Sequence, residues 1–96
     1  MKSPAIYILA SQRNGTLYIG VTSNLIQRIW QHKKHLADGF TKKYNVTILV
    51  YFEQAQTMDA AIAREKELKK LTRKAKIELI QYKNPSWMDL YSQIIG

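Results

Sequence analysis

Residues 5–10 (AIYILA) and 17–22 (LYIGVT) are dense in β-branched and aromatic side chains, and they flank a stretch with Arg13, Asn14 and Gly15. Asn-Gly tolerates positive φ, so the spacing predicts a β-hairpin. From Asn24 the apolar positions recur at helical spacing, as Leu25, Ile26, Ile29, Trp30 and Leu36, and Gly39 supplies a stop. A first helix is expected over about Asn24 to Ala37. Residues 45–54 (NVTILVYFEQ) form a run of strand formers and read as a third strand beside the hairpin. Thr57 and Asp59 then open a second helix through AAIAREKELKKL, with the Asp favourable near the positive N-terminal end. RKAKIELIQY continues as another helix, and KNPSWMDLYSQII closes as a short one entered through Asn84-Pro85. The order ββαβααα is that of an α+β protein, a small antiparallel sheet flanked by helices.

The hairpin's two faces differ. If it closes through a two-residue Asn14-Gly15 loop, Tyr7 opposes Thr22, Leu9 opposes Gly20 and Ser11 opposes Tyr18. Tyr7 and Tyr18 then share a face, and Ile6, Ile8, Ala10, Ile19 and Val21 make the other one wholly apolar. That predicts one core face and one that carries hydroxyls. A loop with any even number of residues keeps this parity, whereas a three-residue loop with a bulge breaks it.

In the first helix, at ~100° per residue, Leu25, Arg28, His32 and His35 fall on one line. This is a solvated helix face, or a site: Arg meets phosphate with a fork of donors, and His moves protons near neutral pH. Glu65 lies on the same side of the second helix as Ala61, Ile62 and Leu68 and interrupts its apolar stripe. A carboxylate pressed toward a core needs a cation, and the candidates are Arg28 or a bound metal. Asn84 before Pro85 is most simply a helix N-cap. Trp87 and Tyr91 on the last helix are read as core or an interface, with core favoured.

Charge narrows the partners. The 96-residue chain carries 15 Lys and Arg against 7 Asp and Glu, a net charge of +8, which points to a polyanion. Thirteen of those 15 lie between Arg28 and Lys83, within the predicted elements, so folding fixes them on a surface. No cysteine is present, which excludes disulfides, thiolate metal sites and a Cys nucleophile. With two histidines, a metal would be held largely by oxygen, which suits magnesium or manganese. The first apolar run is too short for a signal peptide or membrane span, so a cytoplasmic location without membrane contact is expected. Nothing in the composition separates two halves, and one domain over residues 1–96 is expected.

These residues together resemble the GIY-YIG nuclease superfamily. The two named triplets stand as Ala5-Ile6-Tyr7 and Tyr18-Ile19-Gly20, followed by TSNLIQRIWQHK with Arg28 and His32, and REKELKKL with Glu65. The FTKKY segment, Phe40 to Tyr44, and the ending NPSWMDL are similar to short stand-alone bacterial members. Ala5 stands where the family name has Gly, and Val21 where some members have Lys. The resemblance implies a three-stranded antiparallel sheet flanked by helices and a phosphodiesterase site with a single divalent ion, Mg2+ or Mn2+, on Glu65. It implies that Arg28 stabilises charge on the phosphate, that Tyr18 acts as base or relay, and that Tyr7 and His32 orient water and phosphate. Asn84 corresponds to a late Asn of the family's site.

The function expected is a metal-dependent endonuclease on DNA, structure-selective or weakly sequence-specific, in repair or recombination. DNA contact would run through Lys33, Lys34, Lys42, Lys43, Lys69, Lys70 and Arg73, and would be electrostatic and salt-sensitive. The rival readings are a nucleic-acid-binding module that keeps the fold without cutting, and a small RNA binder whose tyrosines stack on bases. Oligomeric state is left open.

Overall fold

The computed structural model describes residues 3–37 and 39–96. Three strands, β1 (Ala5–Ala10), β2 (Leu17–Thr22) and β3 (Ile48–Gln54), form a sheet in the order β2-β1-β3 with both pairings antiparallel. Two helices, α1 (Leu25–Lys33) and α2 (Gly39–Tyr44), separate β2 from β3. After β3 come α3 (Met58–Lys69), α4 (Arg73–Lys83) and α5 (Tyr91–Ile95). This is the expected α+β fold with one helix more than the sequence predicts.

The central strand β1 is buried along its whole length. Ile6, Ile8 and Ala10 pack with Ile19, Tyr51, Ala61 and Leu68 of α3, Ile80 of α4 and Trp87. Ala5, Tyr7 and Leu9 face the other way and pack with Leu25 and Ile29 of α1, Val46 and Leu49, with Tyr91 and Ile94 alongside. The face expected to be a hydroxyl-bearing surface is therefore a second core, and Tyr7 is 1% exposed within it. A middle strand between helical layers has no solvent face to offer.

The hairpin register also differs from the two-residue expectation. Tyr7 pairs with Gly20 and Leu9 with Tyr18, a shift of two residues. The turn takes four residues, Gln12 to Gly15, closed by Gly15 N–H donating to Gln12 O at 2.9 Å, with Asn14 at φ 58°. Four is even, so Tyr7 and Tyr18 remain on one face as parity requires. Ala5 lies in regular strand, paired with Thr22 and Gln54, where a glycine has no special use.

Asn24 caps α1, accepting from Gln27 N–H at 3.3 Å, and Thr57 and Thr72 cap α3 and α4 in the same way at 3.1 Å. The first helix stops at Lys33, short of Ala37, because His35 takes a left-handed φ of 57°. Gly39, expected as a stop, instead begins α2.

A register shift between Ile8 and Leu9 marks a bulge at Val50 of β3. The last helix starts at Tyr91, not after Pro85, since the Asn84 amide fixes the preceding segment. It donates to Val50 O at 3.1 Å and Met88 O at 2.9 Å, and accepts from Met88 N–H at 3.0 Å. Asp89 accepts from Leu49 and Tyr91 N–H, so the segment 84–90 covers the outer edge of β3. Trp87 sits in the core as expected, at φ 55°.

Candidate active site

The β2 side of the sheet gathers five of the six residues singled out. Gly20 is the local reason. A Cβ there would come within 2.4 Å of the Tyr7 Cζ and hydroxyl, so the missing side chain is what lets the Tyr7 ring lie across β2. Tyr18, two pairs along and on the same face, is half-buried with its ring centroid 6.3 Å from that of Tyr7.

His32 closes the group from α1. It is fully buried, its Nε2 lies 2.9 Å from the Tyr7 hydroxyl, and its Nδ1 lies 3.0 Å from Thr41 Oγ1. A neutral imidazole has one donor and one acceptor, so the chain Tyr7–His32–Thr41 carries its protons in one direction, set by the tautomer. Its ring centroid is 5.5 Å from that of Tyr18. Both hydroxyls thus adjoin one imidazole. His35, on the same line in an ideal helix, lies beyond the end of α1 and is exposed.

Burial pushes the Tyr7 phenol up to about 12; a hydrogen bond with Arg28 opposes this, while the charges of Tyr18 and Glu65 reinforce it. Tyr7 is consequently a neutral hydroxyl near pH 7, a hydrogen-bond partner and not a base. Arg28 is half-buried on α1, its Nη1 donating to Gln31 Oε1 at 3.2 Å.

Glu65, 16% exposed, follows Ala61 by four residues on α3, the helix that lies against β2 and β1. The cation that receives it is Lys69 Nζ at 3.4 Å, one turn on, where Arg28 or a bound metal was expected. No group of three or more His, Asp or Glu side chains among the described residues is arranged to hold a metal. One sheltered carboxylate nevertheless fits the manner in which magnesium is held, with most of its waters kept and the remaining ligands drawn from a substrate phosphate.

Asn84 is not brought to this group. Its amide is spent on Val50 and Met88 at the outer edge of β3, with β1 between it and β2. Two of the seven expected phosphate-binding cations are likewise committed to the fold. Lys33 Nζ donates to Thr47 O at 3.0 Å and pairs with Asp89, and Arg73 Nη2 clasps the hairpin turn at Asn14 O (2.6 Å) and Gly15 O (2.7 Å). Lys34, Lys42, Lys43, Lys69 and Lys70 are exposed. Lys76, absent from the sequence reading, joins Lys69 in lining a groove beside Tyr18. Thr41 was missed too. The FTKKY string was the available signal, and reading Gly39 as a helix stop hid the helix that positions it.

The family model described as the GIY-YIG catalytic domain matches residues 3–78, a span that holds Tyr7, Tyr18, Arg28, His32 and Glu65 and ends before Asn84. The chain is 38% identical over 79 residues to a UPF0213 protein of Clostridium perfringens, covering 82% of this chain and 84% of that one. It is 36% identical over 75 residues to a UPF0213 protein of Pediococcus pentosaceus, covering 78% of each. A UPF0213 protein of Staphylococcus aureus is 33% identical over 81 residues, 84% of this chain and 98% of that one. No solved structure matches significantly.

Proposed function

Because the chain belongs to the GIY-YIG catalytic-domain family, we propose that it is a metal-dependent endonuclease that hydrolyses phosphodiester bonds in DNA, with structure-selective or weakly sequence-specific cutting and a place in repair or recombination. The observation that carries this reading is the convergence of two tyrosines, an arginine, a buried histidine and a sheltered carboxylate at the β2 side of the sheet.

A phosphodiester resists attack because its own charge repels nucleophiles. Glu65 would hold a single divalent ion, Mg2+ or Mn2+, which when bound offsets charge developing on the phosphate. Arg28 pairs with a non-bridging oxygen and takes up more of that charge. Tyr7 keeps its proton and, backed by His32 and Thr41, holds a hydrogen bond to the attacked phosphate or to the incoming water. Proton transfer from that water falls to Tyr18, the less buried phenol, which the metal, His32 or Arg28 would activate. Lys34, Lys42, Lys43 and Lys70 supply the salt-sensitive attraction to the DNA backbone.

The rival reading, a binding module that keeps the fold without turnover, draws on one feature, the Glu65–Lys69 pair that occupies the proposed metal ligand. Labelled single-stranded, duplex, nicked and branched DNAs, incubated with magnesium, manganese or chelator, separate the two. Cutting that needs the metal supports the nuclease. Binding of every substrate with none cut supports the module. No helix among the described residues is long and apolar enough to cross a membrane.

A further inference from the structure

Beside Tyr18 stand aromatic side chains with no part in proton chemistry. Phe40 of α2 stacks on the Tyr18 ring, centroids 6.1 Å apart and planes 28° apart, and Tyr44 follows at 4.9 Å from Phe40. Phe40 is 42% exposed and Tyr44 47%. Next to Phe40 runs a groove of about 300 Å³ lined by Leu17, Tyr18, Ile19, Phe40, Lys69 and Lys76. Its walls are apolar and aromatic, and its two charged residues are both cations, Lys76 and the Lys69 that also pairs with Glu65 at 3.4 Å.

That combination selects a particular ligand. A flat π face stacks on an exposed ring, and an adjacent phosphate meets an ammonium. Bases inside a duplex have both faces covered by their neighbours, so only an unpaired or unstacked base has a face to give. The groove also adjoins Tyr18, so a nucleotide seated there places its own phosphate, or the next one, near the tyrosines.

We propose that Phe40, with Lys69 and Lys76 lining the same groove, is a stacking site for one unpaired DNA base next to the scissile phosphate, and that this site gives the protein its preference for single-stranded, frayed or branched DNA. The proposal rests on the nuclease reading for what happens at Tyr18. The stacking itself is independent of turnover.

The test is binding in chelator, where no metal-dependent cutting interferes. A fluorescein-labelled single-stranded dT 15-mer and a blunt duplex are titrated with wild type, Phe40→Ala and Phe40→Trp, and a dT strand carrying 2-aminopurine reports stacking by quenching. Phe40→Ala should weaken single-strand binding by about fivefold or more, the low end for one base on one ring, and leave the duplex within about twofold. Phe40→Trp should restore both affinity and quenching. If Phe40→Ala melts below the assay temperature, Phe40→Leu, apolar but without a π face, takes its place with the same expectation. Equal losses on both DNAs, or no loss on the single strand, would overturn the proposal. Cleavage of the same strands in magnesium is scored separately, so stacking without cutting removes the nuclease reading and leaves this one standing.

Discussion

The Tyr7 hydroxyl and His32 Nε2 lie 2.9 Å apart inside the protein, with Thr41 Oγ1 3.0 Å from the other ring nitrogen. Residues from β1, α1 and α2 thus fix one hydroxyl against the face that Tyr18 shares. Removing either end of the chain should be felt. Thr41→Val keeps the shape and leaves Nδ1 without this partner, at an expected cost of about 1–3 kcal/mol in denaturant unfolding. Single-turnover cleavage should fall with it, because the imidazole loses what orients it. Tyr7→Phe should cost a similar amount of stability and lower turnover further, since it removes the group proposed to touch the reacting atoms.

Gly20→Ala tests why the ring lies where it does. The added methyl would sit 2.4 Å from the Tyr7 Cζ and hydroxyl, and Tyr7 has no space to retreat into at 1% exposure. A loss of about 1–3 kcal/mol is expected, read as a lowered melting temperature, together with reduced cleavage at temperatures where the variant is still folded.

The pH dependence of stability has a defined sign at each end. Tyr7 and Tyr51 are both pushed up to about 12, chiefly by burial, so the folded state holds those protons more tightly than the unfolded chain does. Their contribution is whole below pH 10 and is lost as the pH rises through about 12. Tyr51→Phe should flatten part of that alkaline slope. At the acid end, Arg64 donates to both Glu53 oxygens at 2.9 Å and holds this carboxyl below its ordinary range. That contribution is present above the ordinary carboxylate pKa and is lost as the pH falls through the lowered one. Glu53→Gln should therefore make stability less dependent on acid, as chemical denaturation at a series of pH values would show.

Asn84→Ala should separate the fold from the chemistry. With one hydrogen bond to β3 and two to Met88 gone, the protein should lose about 1–3 kcal/mol. Cleavage per folded molecule should stay within about twofold of wild type, and a far larger loss would place Asn84 in the reaction after all.

Much of this was legible in the sequence where a local rule governs it. β1 and β2 have the bounds that their β-branched and aromatic runs predict, and helices begin after Asn24 and Thr57 as expected. Tyr7 and Tyr18 share a face because alternation depends on parity alone. What escaped depends on tertiary contacts. The second core around Tyr7 exists because β3 pairs with β1 and makes it the central strand, which no pattern within the hairpin announces. Asn84 before a proline has the local signature of a helix start, yet a strand edge 34 residues earlier in the chain claims its amide. Glu65 stood out as a carboxylate in an apolar stripe, but which cation meets it depended on side-chain reach, and Lys69 one turn away was nearer than any distant arginine.

The most direct test of the account is Glu65→Gln, which keeps the size and hydrogen-bonding capacity of the side chain and removes its charge. Single-turnover cleavage of a labelled branched DNA is measured across a manganese titration, beside a melting curve for each protein. The account predicts an unchanged fold, unchanged DNA binding in chelator, and a fall in cleavage of about 10²-fold or more that added manganese does not restore. A Glu65→Gln protein that cuts like wild type at every manganese concentration would contradict it.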